Sequence, residues 1–242
     1  MKKIFLLALL LATGPLLQAQ FPKILEKATG SLPGGTSALS NEEVVAGLKE
    51  ALEKGAHRSV EQASVVDGFW GNDRLRIPFP PAAEKMKTTL VRIGMEPQVK
   101  EFELTMNRAA EDAAREAAAV FVTAIKGMSV GDGFAILKGG EKAATNYLQD
   151  KTTAELTTRF RPIVEQATTK VALANHWTPL ANAYNRATML TGGQAVDPDL
   201  DGYITGKAID GLFILVAEEE ARIRKDPLAR TSDLLRKVFG SQ

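Results

Sequence analysis

Residues 97–128 read PQVKEFELTMNRAAEDAAREAAAVFVTAIKGM. Phe102, Met106, Ala109, Ala113, Val120 and Ala124 recur at three-, four- and seven-residue steps, the spacing of one buried helix face. Alanine, the best helix former, fills much of 109–119 and lets a neighbouring helix come close. Asn107, Arg108, Glu111, Asp112, Arg115 and Glu116 stand among those alanines, so the helix carries a polar stripe. This stretch predicts an all-α protein: a single multi-helix domain around a long central helix, with 101–125 as its most buried long helix.

Upstream, residues 68–81 read GFWGNDRLRIPFPP, where two glycines, three prolines and Asn72-Asp73 forbid a helix. Leu75, Ile77 and Phe79 alternate with Arg74, Arg76 and Pro78, which allows a short extended piece. We read a loop pinned to the helical core by its aromatics. The alternative is a lid over a ligand site. Ser40 and Glu43 spell a capping box, with Leu39 placed to staple Val44, for a helix from Asn41 into the sixties. Its apolar side is Val44, Val45, Leu48 and Leu52. A helix from Pro81 or Ala82 should stop at Gly94.

Downstream, Ser129 and Asp132 mark a cap for 133–137, and Gly139-Gly140 turns the chain into 141–150. Thr152 and Glu155 spell another capping box, so a new helix should open there, with Pro162 kinking or breaking it. His176 to Pro179 reads as a boundary before a helix at 180–190, and 203–224 as a strongly apolar helix. On its exposed end, Glu218 and Arg222, and Glu220 and Arg224, are spaced for i,i+4 pairs. A last helix spans 232–239. No internal repeat or βαβ alternation competes with this reading.

Composition narrows the class. The 242 residues are 45% hydrophobic and 24% charged, with a net charge of +1 and no basic cluster, which argues against a nucleic-acid binder. Aromatics are 6%, so the core relies on aliphatic residues. Lys2 and Lys3 precede an apolar run from Ile4 to Ala12, then Gly14-Pro15 and Leu17-Gln18-Ala19. That is the pattern of a signal peptide cleaved after Ala19, and nine apolar residues fall short of the about 20 that span a bilayer. The expected product is periplasmic, with a Gly/Ser/Thr/Pro linker at 20–40, a helical domain at 41–242, a net charge of −1 and no transmembrane segment. Without cysteine it has no disulfide, no lipid-attachment thiol and no thiolate chemistry.

At this point segments across the chain resemble a family. MNRAAEDA at 106–113, AIKGMSVGDGFAILKGGEKAATNYL at 125–148 and EEEARIRKDPLARTSDLLRKVFG at 218–240 are similar to the bacterial exported family termed domain of unknown function 4197. GLKEALEKGA at 47–56 and the loop at 68–80 fit it too. The resemblance implies an exported, largely helical protein and brings no activity, cofactor or catalytic residue.

Candidate chemistry is sparse. Asp197, Asp199 and Asp201, followed by Gly202 and Ile204, match the start of a calcium loop, but Ala208 stands where the bidentate glutamate belongs. The segment reads as an aspartate-rich turn and helix cap, with no metal expected and a cation at these three aspartates as the alternative. His57 and His176 show no zinc spacing, no G-x-S-x-G elbow appears, and no cofactor is expected. In the central stripe, Glu111 can pair with Arg115 and Arg108 with Asp112, which makes a solvated face. The functional alternative places Asn107, Arg108 and Glu111 in a cleft against Asp132, Thr145 and Tyr147, with Trp70 and Phe79 as its apolar cover. Two roles follow. One is a non-enzymatic envelope protein, binding a small apolar or amphipathic ligand or a protein partner. The other is a hydrolase using Glu111 or Asp132 as a carboxylate base.

Overall fold

In the computed structural model, residues 40–191 and 194–225 are described, apart from the side chains of 172, 173, 187, 188, 190 and 191. They belong to one unit, Leu39–Gln242. The signal segment, most of the linker, Leu39 of the expected staple and the helix expected at 232–239 lie outside the described residues.

All regular structure among the described residues is helical, as the periodicity predicts. Helix α1 is Asn41–Ser64, a 3₁₀ turn is Pro81–Ala83, and α2 is Glu84–Arg92. Then come α3 (Glu96–Ala114), α4 (Ala117–Lys126), α5 (Val130–Lys138), α6 (Ala143–Thr168), α7 (Ala172–Asn175), α8 (Trp177–Thr191) and α9 (Leu200–Lys225). The capping box of α1 forms in both directions, with Ser40 N donating to Glu43 at 2.8 Å and Glu43 N to Ser40 Oγ at 3.2 Å. Ser129 and Asp132 do the same for α5. Gly94 ends α2 with φ +89°, a conformation that glycine adopts without steric cost.

The central helix is two segments. At Arg115-Glu116 the backbone stays right-handed, but Glu116 N donates to Ala113 three residues back, a one-turn tightening. The chain then turns by 105° into α5. Centrality is also shared. Helix α3 buries nine of 19 residues and α9 twelve of 26, among them Ile204, Ala208, Leu212, Leu215 and Val216. Both α1 and α6 pack on α3–α4 and on α9, and α3 meets α9 between them. The alanines at 109, 110, 113, 114 and 117 are fully enclosed, which permits these close approaches.

Two local signals are overridden. Thr152 does not open a helix: α6 runs through it from Ala143, and its hydroxyl donates back to Leu148 O at 2.6 Å. Glu155 pairs with Arg159 instead of reaching back to a cap. Nor does Pro162 end α6, which continues to Thr168. The apolar stripe of Leu148, Leu156, Phe160 and Val164 is buried on both sides of the proline, so packing outweighs the lost backbone bond. Among the described residues no single helix is long and apolar enough to cross a membrane.

Candidate functional site

The polar stripe of α3 faces the 65–80 loop. Asn107 is fully buried, and its amide is matched to one loop residue. Oδ1 accepts from Ile77 N at 2.8 Å, while Nδ2 donates to Ile77 O at 2.9 Å and to Glu103 O at 2.8 Å. The side chain thus supplies both halves of the pairing that a neighbouring strand would give. Glu111, 2% exposed, accepts at Oε1 from Phe69 N and Trp70 N, at 3.0 and 3.1 Å. Its Oε2 accepts from Arg108 Nη1 at 2.6 Å, and Arg108 Nη2 reaches Asp67 at 2.7 Å. The bond to Glu111 raises the already high pKa of Arg108. The expected i,i+4 pairs do not form here. Arg108 meets Glu111, and Arg115 meets Asp112, both at i,i+3, because Glu111 turns inward to the loop amides.

The loop is shaped to receive these groups. Asp67 takes φ 67°, unusual for a residue with a side chain, and its carbonyl accepts from Gly71 N. A Cβ on Gly68 would sit 2.5 Å from Ala63 O, so the chain can pass α1 there only as glycine. Phe69, Leu75, Ile77 and Phe79 are core residues. The Phe69 ring lies where a Cβ on Gly211 of α9 would be, 2.6 Å from its Cε1. Phe79 packs against both Phe102 and Trp177, with ring centroids 5.1 and 5.7 Å away. Tyr203 of α9 donates to Pro78 O, and burial pushes its hydroxyl up to about 12. The pinned-loop reading therefore holds, with no strand at 75–79.

The remaining candidates are dispersed. Trp70 is half-buried under the Arg76 guanidinium. Asp132 is spent as the α5 cap, and its bonds from the Ser129 hydroxyl and amide hold its carboxyl below the usual range. Tyr147 stacks near Lys151, its hydroxyl pushed up by burial and then by the Asp132 charge. Thr145 belongs to a separate junction that sequence reasoning missed. There Glu220 of α9 accepts from Ala144 N at 3.1 Å and from Thr145 N and Oγ1 at 2.8 and 2.7 Å, serving as the cap that α6 lacks. Arg224, one turn on, pairs with Glu220 at 2.8 Å and donates to Ile136 O at the end of α5. The anion thus meets a helix start and the cation a helix end, each the favourable polarity. The sequence predicts Glu220–Arg224 as an exposed pair, but Glu220 is buried and Arg224 half-buried. The Glu218–Arg222 pair is replaced by Arg74–Glu218 and Glu219–Arg222.

The three aspartates around the start of α9 diverge. Asp197 accepts from Asp199 N, Asp199 takes two bonds from Arg161 at 2.8 and 2.9 Å, and Asp201 accepts from Thr168 Oγ1 at 2.7 Å. Among the described residues no group of three or more acids or histidines is placed to hold a metal ion. Beside them opens a cleft of about 470 Å³. The α6 end contributes Arg161, Thr168 and Thr169; Asn175, Trp177 and Thr178 face Pro198 to Asp201 across it. This is the size of a small-molecule pocket. Two apolar crevices beside Glu220 hold about 20 Å³ each, enough for a water. Trp177 forms the buried floor of the 470 Å³ cleft, stacked on Phe102, with its indole N–H given to Asp197 O. Asn185 of α8 holds the loop above by Val196, amide to backbone, with both bonds 2.7 Å. Neither Trp177 nor Asn185 carries a sequence signal for this role, because each partner lies 11 to 20 residues on in an irregular segment.

No curated protein and no solved structure matches the chain. A family model does match, over residues 38–240: that of the Protein of unknown function (DUF4197) family. This span covers all but the last two residues of the unit Leu39–Gln242, and the chain belongs to that family.

Proposed function

We propose that this chain is a non-catalytic binding protein of the bacterial envelope, and that its ligand sits in the cleft between the α6 end and the start of α9. The observation that carries this reading is the contrast in saturation. The buried carboxylates best suited to catalysis, Glu111 and Glu220, have both oxygens taken by protein donors. A base so enclosed cannot reach a substrate proton without unlocking the loop or helix end that it holds. Asp132, the other carboxylate of the hydrolase alternative, gives its Oδ2 to the Ser129 amide and hydroxyl at the start of α5. By contrast, the 470 Å³ cleft offers polar edges around an aromatic floor. Export is supported by Lys2-Lys3, the short apolar run and the absence of cysteine.

Native mass spectrometry of the exported protein tests the binding reading. Native protein should carry a small molecule that is lost in Thr169→Trp, which fills the cleft from an exposed position, and kept in Glu111→Gln. Identical bare spectra for all three would end it. N-terminal sequencing of the same material should begin at Gln20; an intact Met1 would remove the envelope assignment.

A further inference from the structure

We infer that residues 77–79 form a stiff strap that sets the position of the cleft floor, with Asn107 and Tyr203 as positioning residues that act through it. This rests on the cleft being the binding site and adds what holds that site in shape. The sequence makes the strap stiff. In Ile77-Pro78-Phe79-Pro80-Pro81 the prolines have a fixed φ, and each keeps the residue before it out of the helical region. Few torsions are left to absorb a displacement. Three successive residues are then held by three sets of partners. Ile77 is clamped to α3 by both bonds of Asn107. Pro78 O accepts from Tyr203 Oη of α9 at 3.1 Å. Phe79, 1% exposed, sets its ring against Phe102 of α3 and Trp177 at the start of α8.

Two of these partners belong to the cleft or adjoin it. Trp177 is its floor, and Tyr203 stands in the first turn of α9, two residues after the Asp201 that lines it. Asn107, Phe79 and Tyr203 themselves are outside the lining. Trp177 and Thr178 also reach Asp197 O and Pro198 O directly. The strap adds a second tie between the starts of α8 and α9, through the buried ring of Phe79 and the carbonyl of Pro78. A close-packed interior passes a displacement on to its neighbours. Loosening the strap at Asn107 or at Tyr203 therefore frees Phe79, and with it the indole on which the cleft is built.

Tryptophan fluorescence of the exported protein tests the strap without a ligand. The chain has two tryptophans, so Trp70→Phe leaves Trp177 as the single reporter. In that background Asn107→Ala and Tyr203→Phe should each move the Trp177 emission of the folded protein to longer wavelength and raise its quenching by acrylamide. Neither residue bonds to the indole or stacks on it, so the change has to travel through the strap. Tyr203→Phe removes one hydroxyl only and keeps the test open should Asn107→Ala fold poorly. The molecule carried in native mass spectrometry should be retained severalfold less in both variants. Phe121→Leu is the control: it takes a ring from the Phe121–Phe213 pair, also 5.7 Å apart, and costs stability without touching the strap. It should move neither reading. Emission and quenching unchanged in both variants overturn the strap. Retention equal to the native protein's overturns it too, as does retention that falls as far in Phe121→Leu as in Tyr203→Phe. If the native protein carries no molecule while the indole still responds, the strap stands and the binding reading falls.

Discussion

Two irregular segments, 65–80 and 194–199, are each fastened to a helix by an asparagine that pairs with both backbone groups of one apolar residue. Asn107 holds Ile77 and Asn185 holds Val196, with all four bonds between 2.7 and 2.9 Å. The device is the same but the setting is not. The first loop drives Phe69, Leu75, Ile77 and Phe79 into the core and is closed over by Glu111. The second buries Val196, keeps its aspartates on the surface and borders a cleft. A buried polar group has only the protein to satisfy it, so the first loop is structural through and through. An exposed one is free to exchange partners, and that is where a ligand can compete.

Three substitutions sharpen that contrast. The largest effects should fall on the sealed loop. Glu111→Ala leaves the Phe69 and Trp70 amides unpaired and Arg108 without its main partner, at about 3–5 kcal/mol. Asn107→Ala should cost about 2–3 kcal/mol, and Asn185→Ala about 1 kcal/mol, since water can reach the second site. Urea unfolding measures all three. Equal losses at Asn107 and Asn185 would mean that the two loops are equivalent and the comparison is empty.

Gly211→Ala tests how tightly the sealed loop is packed. Alanine in place of a helical glycine ordinarily stabilises by roughly 1 kcal/mol. Here the new methyl would meet the Phe69 ring, and overpacking at about 1–3 kcal/mol should reverse the sign. A raised Tm would show that the ring has room to move.

The smallest effect belongs to the open segment. The bond from Arg161 holds the Asp199 carboxyl below its ordinary value. Its folded pKa is thus depressed, so the pair stabilises above the unfolded pKa, about 4, and that contribution fades as pH falls through the lower folded value. Both side chains are more than 40% exposed, and solvent screening keeps the pair below about 1 kcal/mol. Asp199→Asn should therefore lower stability slightly at pH 7 and match the native protein well below pH 4. A deficit that persists at low pH would assign the loss to something other than this ion pair.

Much of the fold was legible because it is periodic or locally capped. The stripe from Phe102 to Ile125, the boxes at Ser40 and Ser129, and the stop at Gly94 each depend on residues within a turn or two of one another. Thr152-Glu155 shows the limit of that legibility. Its pattern is the same as at Ser40, yet α6 had already begun at Ala143, because Glu220, 76 residues away from Ala144, supplies the cap. The candidate site was legible only in part. Asn107, Arg108 and Glu111 do act together, but against the 65–80 loop and not against Asp132 or Tyr147.

The sequence by itself determined that the chain is helical, where most helices start and stop, and that its aromatics near Trp70 belong to an irregular segment. These follow from hydrophobic period and capping, which are short-range. Tertiary structure alone decided what the polar residues do. Glu111 and Glu220 look in sequence like any glutamate on a mixed helix face, and both become buried anchors for amides that lie 41 and 76 residues away. Asp201 and the Thr168 that meets it are 33 residues apart, and the cleft between their helices exists only once α6 and α9 have packed. The physical reason is that desolvation, which forces each buried donor and acceptor to find a partner, acts on neighbours in space, and a linear pattern does not record them.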